Sequence, residues 1–419
     1  MQKTGNEEAF MKTERTYPRA VVTPKAEAAL LRGHPWVYDA EITALDGTPE
    51  NGGLVDVVSK KDRYLGTGMY SEKSKIRLRL VSRNANDSFD SAFWERKLRW
   101  AWDYRKAVLR EEDLTCCRII FGEADGFPGL TVDRFGPILS VQVLSVGMEV
   151  RKELLFPLLV EVLRQDGQEI SGVYERNDVA LREKEGLPQY KGWFPLPGET
   201  APDSAVTEIV ENEVKYLVDV ENGQKTGFFL DQKFNRQAVA RLSKGRTVLD
   251  CFTHTGSFAL NAARGGAAHV TAVDVSESAV EMARDNARRN GLENTVECVC
   301  ANVFDLLPSL EKQPRKYDFI ILDPPAFTKS RATVANAITG YKEINYRAMK
   351  LLPRGGFLAT CSCSHFATEE KFIAMLHAAA HDANVQLRQI EARQQGPDHP
   401  ILWGVDETSY LKFYLFQVV

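Results

Sequence analysis

Asp323 and the pair Cys361 and Cys363 are the residues whose types and placement suggest chemistry. IILDPPAF puts Asp323 at the end of an apolar run that reads as a buried strand. Pro324 and Pro325 then stop the hydrogen-bond ladder and hold the next residues extended. A carboxylate held there can accept a hydrogen bond from the amino group or the protonated ring nitrogen of a nucleobase. TCSCS, Thr360 to Ser364, follows a second apolar run, GGFLAT. A thiolate on that side of the site can add to carbon 6 of a pyrimidine, which makes carbon 5 nucleophilic enough to attack a sulfonium methyl group. A buried, inert thiol is the competing reading for either cysteine, and helix capping is the competing reading for Asp323. One-residue spacing without a nearby His pair gives no tetrahedral metal set.

These groups need a cofactor site, and TVLDCFTHTGSF, Thr247 to Phe258, has the form of one. An apolar run ends in Asp250, and a turn through Gly256 opens a helix. α/β proteins hold nucleotide-like ligands on such a turn at the carboxyl end of a strand. A dinucleotide fingerprint needs G-x-G-x-x-G so that backbone can approach a pyrophosphate. Only Gly256 is present here, while Phe252, Thr253, His254 and Thr255 carry bulky side chains. A ligand without phosphates fits better, so S-adenosylmethionine is expected. HVTAVDVS ends a second strand at Asp274, placed to accept from both ribose hydroxyls. TVECVCANVF brings Asn302 and Val303 to the end of a third. Upstream, NGQKTGFFLDQKFNR crosses Gly223 and Gly227 into a helix starting near Asp231. Its Phe228, Phe229, Gln232 and Arg236 read as a lid over an adenosine and a carboxylate, with a plain connector as the alternative. Asp323 is counted with this cofactor set as well as with the catalytic one.

The whole chain accommodates these elements. At 419 residues it has room for two or three cores. Apolar and charged contents of 44% and 26% are those of an ordinary soluble protein. No window approaches the roughly 20 uninterrupted apolar residues of a membrane span. Residues 1–18 are polar, lack the apolar centre of a signal peptide and read as a frayed lead-in. Seven cysteines in no paired pattern suggest a reduced, cytoplasmic setting. The formal net charge of -4 argues against bulk attraction to nucleic acid without excluding a local basic face.

Residues 19–93 read as a small β-rich domain, with Trp36 in RGHPWVYDAEI as a core anchor. In KSKIRLRLVSR, Lys75, Arg77 and Arg79 alternate with Ile76, Leu78 and Leu80, which on a strand gives a cationic face and a buried face. That face suits RNA, and equally suits a solvated edge strand. Residues 94–205 read as an α+β unit led by a linker helix, Ser91 to Glu112, whose basic side is solvated. The acidic turn at Glu123 and Asp125 needs no role beyond turn formation. From residue 206 a hairpin, EIVENEVKYLVDV, leads into strand–helix alternation up to YLKFYLFQVV, which predicts a doubly wound sheet.

GHPWVY, FGEADGFPGLTVDR, NGQKTGFFLDQ, LDCFTHTGSF, LDPPAF and TCSCS together resemble the PUA-domain class I ribosomal RNA large-subunit cytosine-5 methyltransferases, over nearly the whole chain from Arg19. The resemblance implies an α/β fold: a C-terminal Rossmann-like methyltransferase sheet behind a PUA-like RNA-binding domain and a central α+β domain. It also implies S-adenosylmethionine as cofactor and RNA, above all large-subunit ribosomal RNA, as partner. It places the nucleophile on Cys363, with Cys361 as the neighbour in doubt. By the same resemblance, Cys363 adds to cytosine carbon 6 while Asp323 stabilises a proton on ring nitrogen 3. The family usually has Asp where Asn302 stands, accepting from the adenine amino group, a role an amide oxygen can still fill. The base that removes the carbon 5 proton does not identify itself. Oligomeric state is open, a homodimer included. The D-P-P-aromatic pattern also occurs in enzymes that methylate exocyclic base amines, so an N-methyl product is the alternative activity. A non-catalytic RNA-binding assembly factor is the alternative outside enzymes.

Overall fold

The computed structural model describes residues 15–313, 317–328 and 330–419. Most of the expected lead-in, residues 1–14, lies outside them. Arg15, also assigned to that lead-in, is instead tied down, with Nε 2.7 Å from Asp56 Oδ2.

The first sheet has six strands, in the spatial order Trp36–Tyr38, Ile76–Ser82, Tyr64–Tyr70, Leu54–Val58, Arg19–Val22, Ile42–Asp46. Val22, Val37, Val55, Val57, Leu65, Leu78 and Leu80 form its core. A five-stranded sheet follows, from Cys116–Phe121 across to Tyr190–Trp193, covered by the helices Ser91–Val108 and Lys152–Gln165. The Ser91–Val108 helix departs from expectation. Two of its cations are buried, Lys97 on the carbonyls of Val81 and Gly126 and Arg105 on Asp125. Arg96 and Lys106 stay exposed, so the basic side is solvated only in part. The acidic turn is likewise more than a turn, since Asp125 grips Arg105 at 2.5 and 2.8 Å and accepts from the Phe121 amide.

The hairpin Val206–Glu211 with Val214–Asp219 turns on Asn212 and Glu213, both in the left-handed region at φ 54° and 62°. That is the two-residue turn whose twist suits a hairpin. The last sheet has seven strands: β1 (Thr247–Cys251), β2 (His269–Asp274), β3 (Val296–Cys300), β4 (Phe319–Leu322), β5 (Phe357–Ser362), β6 (Leu387–Arg393) and β7 (Lys412–Val418). Their order is β3-β2-β1-β4-β5-β7-β6, with β7 antiparallel to both neighbours and the first five strands parallel. Strands buried on both faces need near-continuous apolar runs, and Phe319 to Leu322 are all buried. The order reverses between β1 and β4, where open α/β sheets leave a crevice at the carboxyl ends of the strands. Asp250, Asp274, Asn302, Asp323 and Cys363 all lie at that edge.

Candidate active site

Asp250, one residue before the end of β1, is fully buried and holds the following loop from beneath. Its Oδ2 accepts from Thr253 Oγ1 at 2.5 Å and from the Ala259 amide at 3.0 Å. Oδ1 is buried without a hydrogen-bond partner among the described residues. Burial pushes this carboxyl up to about 8, as expected for a charge with one satisfied oxygen. The loop turns through positive φ at Phe252, His254 and Gly256 (67°, 50° and 81°), so backbone rather than glycine content makes the cradle. At Gly256 a Cβ would lie 3.1 Å from that of Ala283, and Thr255 beside it is buried. Asp274 accepts from the amides of His254 at 2.9 Å and Ser276 at 3.0 Å, one on each oxygen. Each oxygen therefore keeps a lone pair for a ligand hydroxyl. Asn302 Oδ1 accepts from the Phe304 amide at 3.0 Å and caps the Val303–Glu311 helix, in which Val303 is buried.

Across the crevice, Leu322 is in register with Thr360, so the residues that follow each, Asp323 and Cys361, become neighbours. The Asp323 carboxyl is pushed up to about 7, first by desolvation and then by the charge of Asp231. Gln232 Nε2 donates to Asp323 Oδ1 at 3.1 Å, and Asn235 Nδ2 donates to Gln232 Oε1 at 2.6 Å, which fixes the orientation of the amide. The two cysteines part company here. Cys361 is fully buried among Phe413, Leu415 and Ala359, its thiol raised well above the usual range by burial. Cys363 lies beyond the strand end, half-buried and open to the crevice. Burial pushes its thiol up to about 11, the charges of Asp323 and Asp231 add to this, and Lys225 opposes them. Lys412, buried and lowered to about 8, donates to the Ser364 carbonyl at 2.7 Å and also feels Cys363.

Two of the four residues expected to form a lid point inward. Phe228 is a core residue, and its ring lies 5.1 Å from the Arg236 guanidinium. Arg236 is fully buried on Glu211 at 2.6 and 2.9 Å and on the Phe229 carbonyl at 2.6 Å. A carboxylate of the hairpin therefore occupies the group expected to hold a ligand carboxylate. Phe229 and Gln232 do face the site, Phe229 with its ring 5.4 Å from that of His254. Asp231, Tyr410 and Lys412 were not anticipated, because their roles depend on β7 and its preceding loop folding back across the sheet. FFLDQ was the one available signal, since it set Asp231 beside Gln232.

A cavity of about 900 Å³ opens between the first two sheets and is lined in part by Trp36, Lys73, Lys75, Phe121, Lys184 and Thr408. Trp36 was expected in the core and is instead half-buried on this wall. Its indole N–H reaches across to Glu123 Oε1 at 3.0 Å, since a buried indole donor needs a partner. The neighbouring strand is not an open cationic face either. Arg79 is buried on Glu185 at 2.8 Å and Arg77 pairs with Asp39, which leaves Lys75 exposed. At the far wall, the ring of Phe121 lies 6.3 Å from that of Tyr410, whose hydroxyl donates to Asp231 Oδ2 at 2.7 Å. Phe121 thus connects the cavity wall to Tyr410 and, through it, to Asp231.

The profile of S-adenosylmethionine-dependent methyltransferases matches residues 196–417, just over half of the chain. The chain belongs to this family. A PUA-like domain profile matches residues 20–83 of the methyltransferase, the region of the first sheet. Its curated relatives include the ribosomal RNA large subunit methyltransferase I of Klebsiella pneumoniae (strain 342), 38% identical over 97% of this chain and 100% of that one. The protein of the same name from Aeromonas salmonicida (strain A449) is 40% identical over 92% of this chain and 96% of that one. Among solved structures, a chain described as a SAM-dependent methyltransferase from Streptococcus mutans matches with a TM-score of 0.77 at 24% identity, covering 96% of this chain and 100% of that one. Another, a methyltransferase complexed with SAH, gives 0.78 at 24% identity over the same shares. These likenesses carry the fold, a Rossmann-like methyltransferase sheet behind a PUA-like domain. The cofactor of this methyltransferase is S-adenosylmethionine, and the unpartnered Asp250 Oδ1 suits a ligand that brings an ammonium group. Among the described residues no helix is long and apolar enough to cross a membrane.

Proposed function

We propose that this methyltransferase transfers a methyl group to carbon 5 of a cytosine in large-subunit ribosomal RNA, through a covalent adduct on Cys363. One observation carries the reading: the crevice at the carboxyl ends of β4 and β5 presents one accessible thiol beside one carboxylate of raised pKa. An enzyme that methylates a base amino group needs no such thiol. The names of the curated relatives support ribosomal RNA as the substrate, and the PUA-like region supports RNA binding. Exposed Lys73, Lys75 and Lys184 on the cavity walls, with half-buried Trp36 between them, suit a single strand with phosphates on the lysines and a base against the ring.

In this reading Asp250 holds the cofactor's ammonium group, Asp274 its ribose hydroxyls, and Asn302 and Val303 border its adenine. Phe252, Thr255 and Gly256 shape the cradle, with Phe229 closing it. Bound S-adenosylmethionine supplies a methyl group on an electron-poor sulfonium. Lys225 draws the Cys363 thiol toward thiolate. Asp323, oriented by Gln232, stabilises the proton on ring nitrogen 3 as Cys363 adds to carbon 6, and electron density moves to carbon 5. Cys361, fully buried, hydrogen-bonds Asp323 and Gln232.

RNA containing 5-fluorocytosine tests the proposal, because fluorine cannot leave as a proton does and the adduct persists. The wild-type protein is expected to be trapped and Cys363→Ala to escape. Trapping that persists in Cys363→Ala would move the nucleophile elsewhere, and an N-methyl product without trapping would favour amine chemistry.

A further inference from the structure

The reaction requires a base to remove the carbon 5 proton once the methyl group is in place. We propose that Asp231 is that base, taking the proton on Oδ1. This rests on the carbon 5 reading above. Asp231 directly precedes Gln232, whose side chain holds Asp323, so its carboxylate lies at the same end of the crevice. The Gly396 amide donates to its backbone carbonyl at 2.9 Å, and Tyr410 donates to Oδ2 at 2.7 Å. Oδ1 is buried and has no hydrogen-bond partner among the described residues. A carboxylate braced on one oxygen with the other free and desolvated is the form a general base takes. Its charge is felt by both Asp323 and Cys363, which places it near each.

The other titratable groups around the crevice are committed. Asp323 attends ring nitrogen 3. Both oxygens of Asp274 accept from loop amides, and Asp250 lies under the cofactor loop. His399 is bound to Asp398 and buried. Lys225 and Lys412 are cations beside the thiol. His365 is exposed, its ring against Phe366.

The step balances as an elimination. The carbon 5 proton passes to Asp231 Oδ1, and the electrons of that C–H bond form the carbon 5–carbon 6 double bond. The carbon 6–Sγ bond breaks with its pair on sulfur, leaving Cys363 as thiolate and Asp231 as carboxylic acid.

Asp231→Asn tests this with ordinary cytosine RNA and methyl-labelled S-adenosylmethionine. The variant is expected to transfer the label yet hold it in a complex that survives denaturing electrophoresis, with release of methylated RNA slowed about 100-fold or more. Its trapping by 5-fluorocytosine RNA remains at the wild-type level, since trapping precedes elimination. Release at the wild-type rate would overturn the assignment. So would joint loss of labelled adduct and 5-fluorocytosine trapping while cofactor binding persists, the result of a purely structural role. Tyr410→Phe keeps the carboxylate and is expected to release product at an intermediate rate; an adduct as long-lived as in Asp231→Asn would shift the role to the phenol. His365→Ala is expected to turn over normally, and labelled adduct building up there would move the base to the histidine. Absence of trapping in the wild-type protein would overturn the carbon 5 reading itself.

Discussion

Gln232 Nε2 donates to Asp323 Oδ1 over 3.1 Å, and Asn235 holds the far end of the same amide at 2.6 Å. This contact favours the ionised carboxylate, against a burial that raises Asp323 to about 7. In the proposed mechanism the competent site carries one proton shared between Cys363 and Asp323, so kcat/KM should fall as pH drops through about 7 and Asp323 takes up a second one. Gln232→Leu removes a group that lowers this pKa, and the acid limb should move to higher pH. A pH–rate profile of both proteins checks the direction; an unmoved limb would detach Asp323 from it.

The two cysteines should separate cleanly. Cys363→Ala is expected to abolish methyl transfer while leaving thermal stability unchanged, because the side chain is half-exposed. Cys361→Ala should keep adduct formation and lose about 1 kcal/mol of stability from contacts in the core. Trapping assays and melting curves on the pair would reveal the opposite pattern if the roles were exchanged.

Stability should respond to Asp323 with a definite sign. Its folded pKa, about 7, lies above the roughly 3.9 of an ordinary aspartate, so between these values the native state binds more protons than the unfolded chain. The contribution of this carboxyl to stability is therefore present at low pH and lost as pH rises through about 7. Asp323→Asn, neutral throughout, should raise Tm more at pH about 8 than at pH about 5 while removing activity.

Glu211 is expected to matter for folding rather than for catalysis. It pairs with Arg236 where both are buried, and Glu211→Ala would strand the guanidinium at a cost of about 3–5 kcal/mol. Denaturant unfolding would measure the loss, and a change below about 1 kcal/mol would argue against this account of Arg236.

Binding to single-stranded ribosomal RNA fragments should weaken when Lys73, Lys75 and Lys184 are changed to Glu, with a shallower dependence on salt. Trp36→Ala should reduce affinity with the salt slope retained, since stacking releases no counterions. Titrations at several salt concentrations separate the two effects.

Strand–helix alternation and the glycine turn made the parallel sheet and its cofactor edge legible in the sequence, since both depend on neighbours along the chain. Asp250, Asp274, Asn302, Asp323 and Cys363 could be placed at strand ends for the same reason. Trp36, Arg79 and Arg236 were misread because their partners, Glu123, Glu185 and Glu211, are respectively 87, 106 and 25 residues away. An aromatic or a cation reads as core, face or lid until the distant carboxylate is known. Spacing alone did not separate Cys361 from Cys363, and only the family resemblance favoured Cys363, because the strand ends between them, a boundary that sequence marks only loosely.

Lys233, at the start of the helix after the Gly223–Gly227 loop, is buried with its ammonium 3.2 Å from Asp113 and 2.7 Å from the Cys116 carbonyl. Both partners belong to the middle sheet and its approach, far outside the stretch that matches the methyltransferase profile. A chain cut at that profile boundary would keep the ammonium and lose both its ion-pair partner Asp113 and the Cys116 carbonyl. The piece that carries the chemistry is therefore not a separable domain in the folding sense, and a minimal active fragment must begin before Asp113.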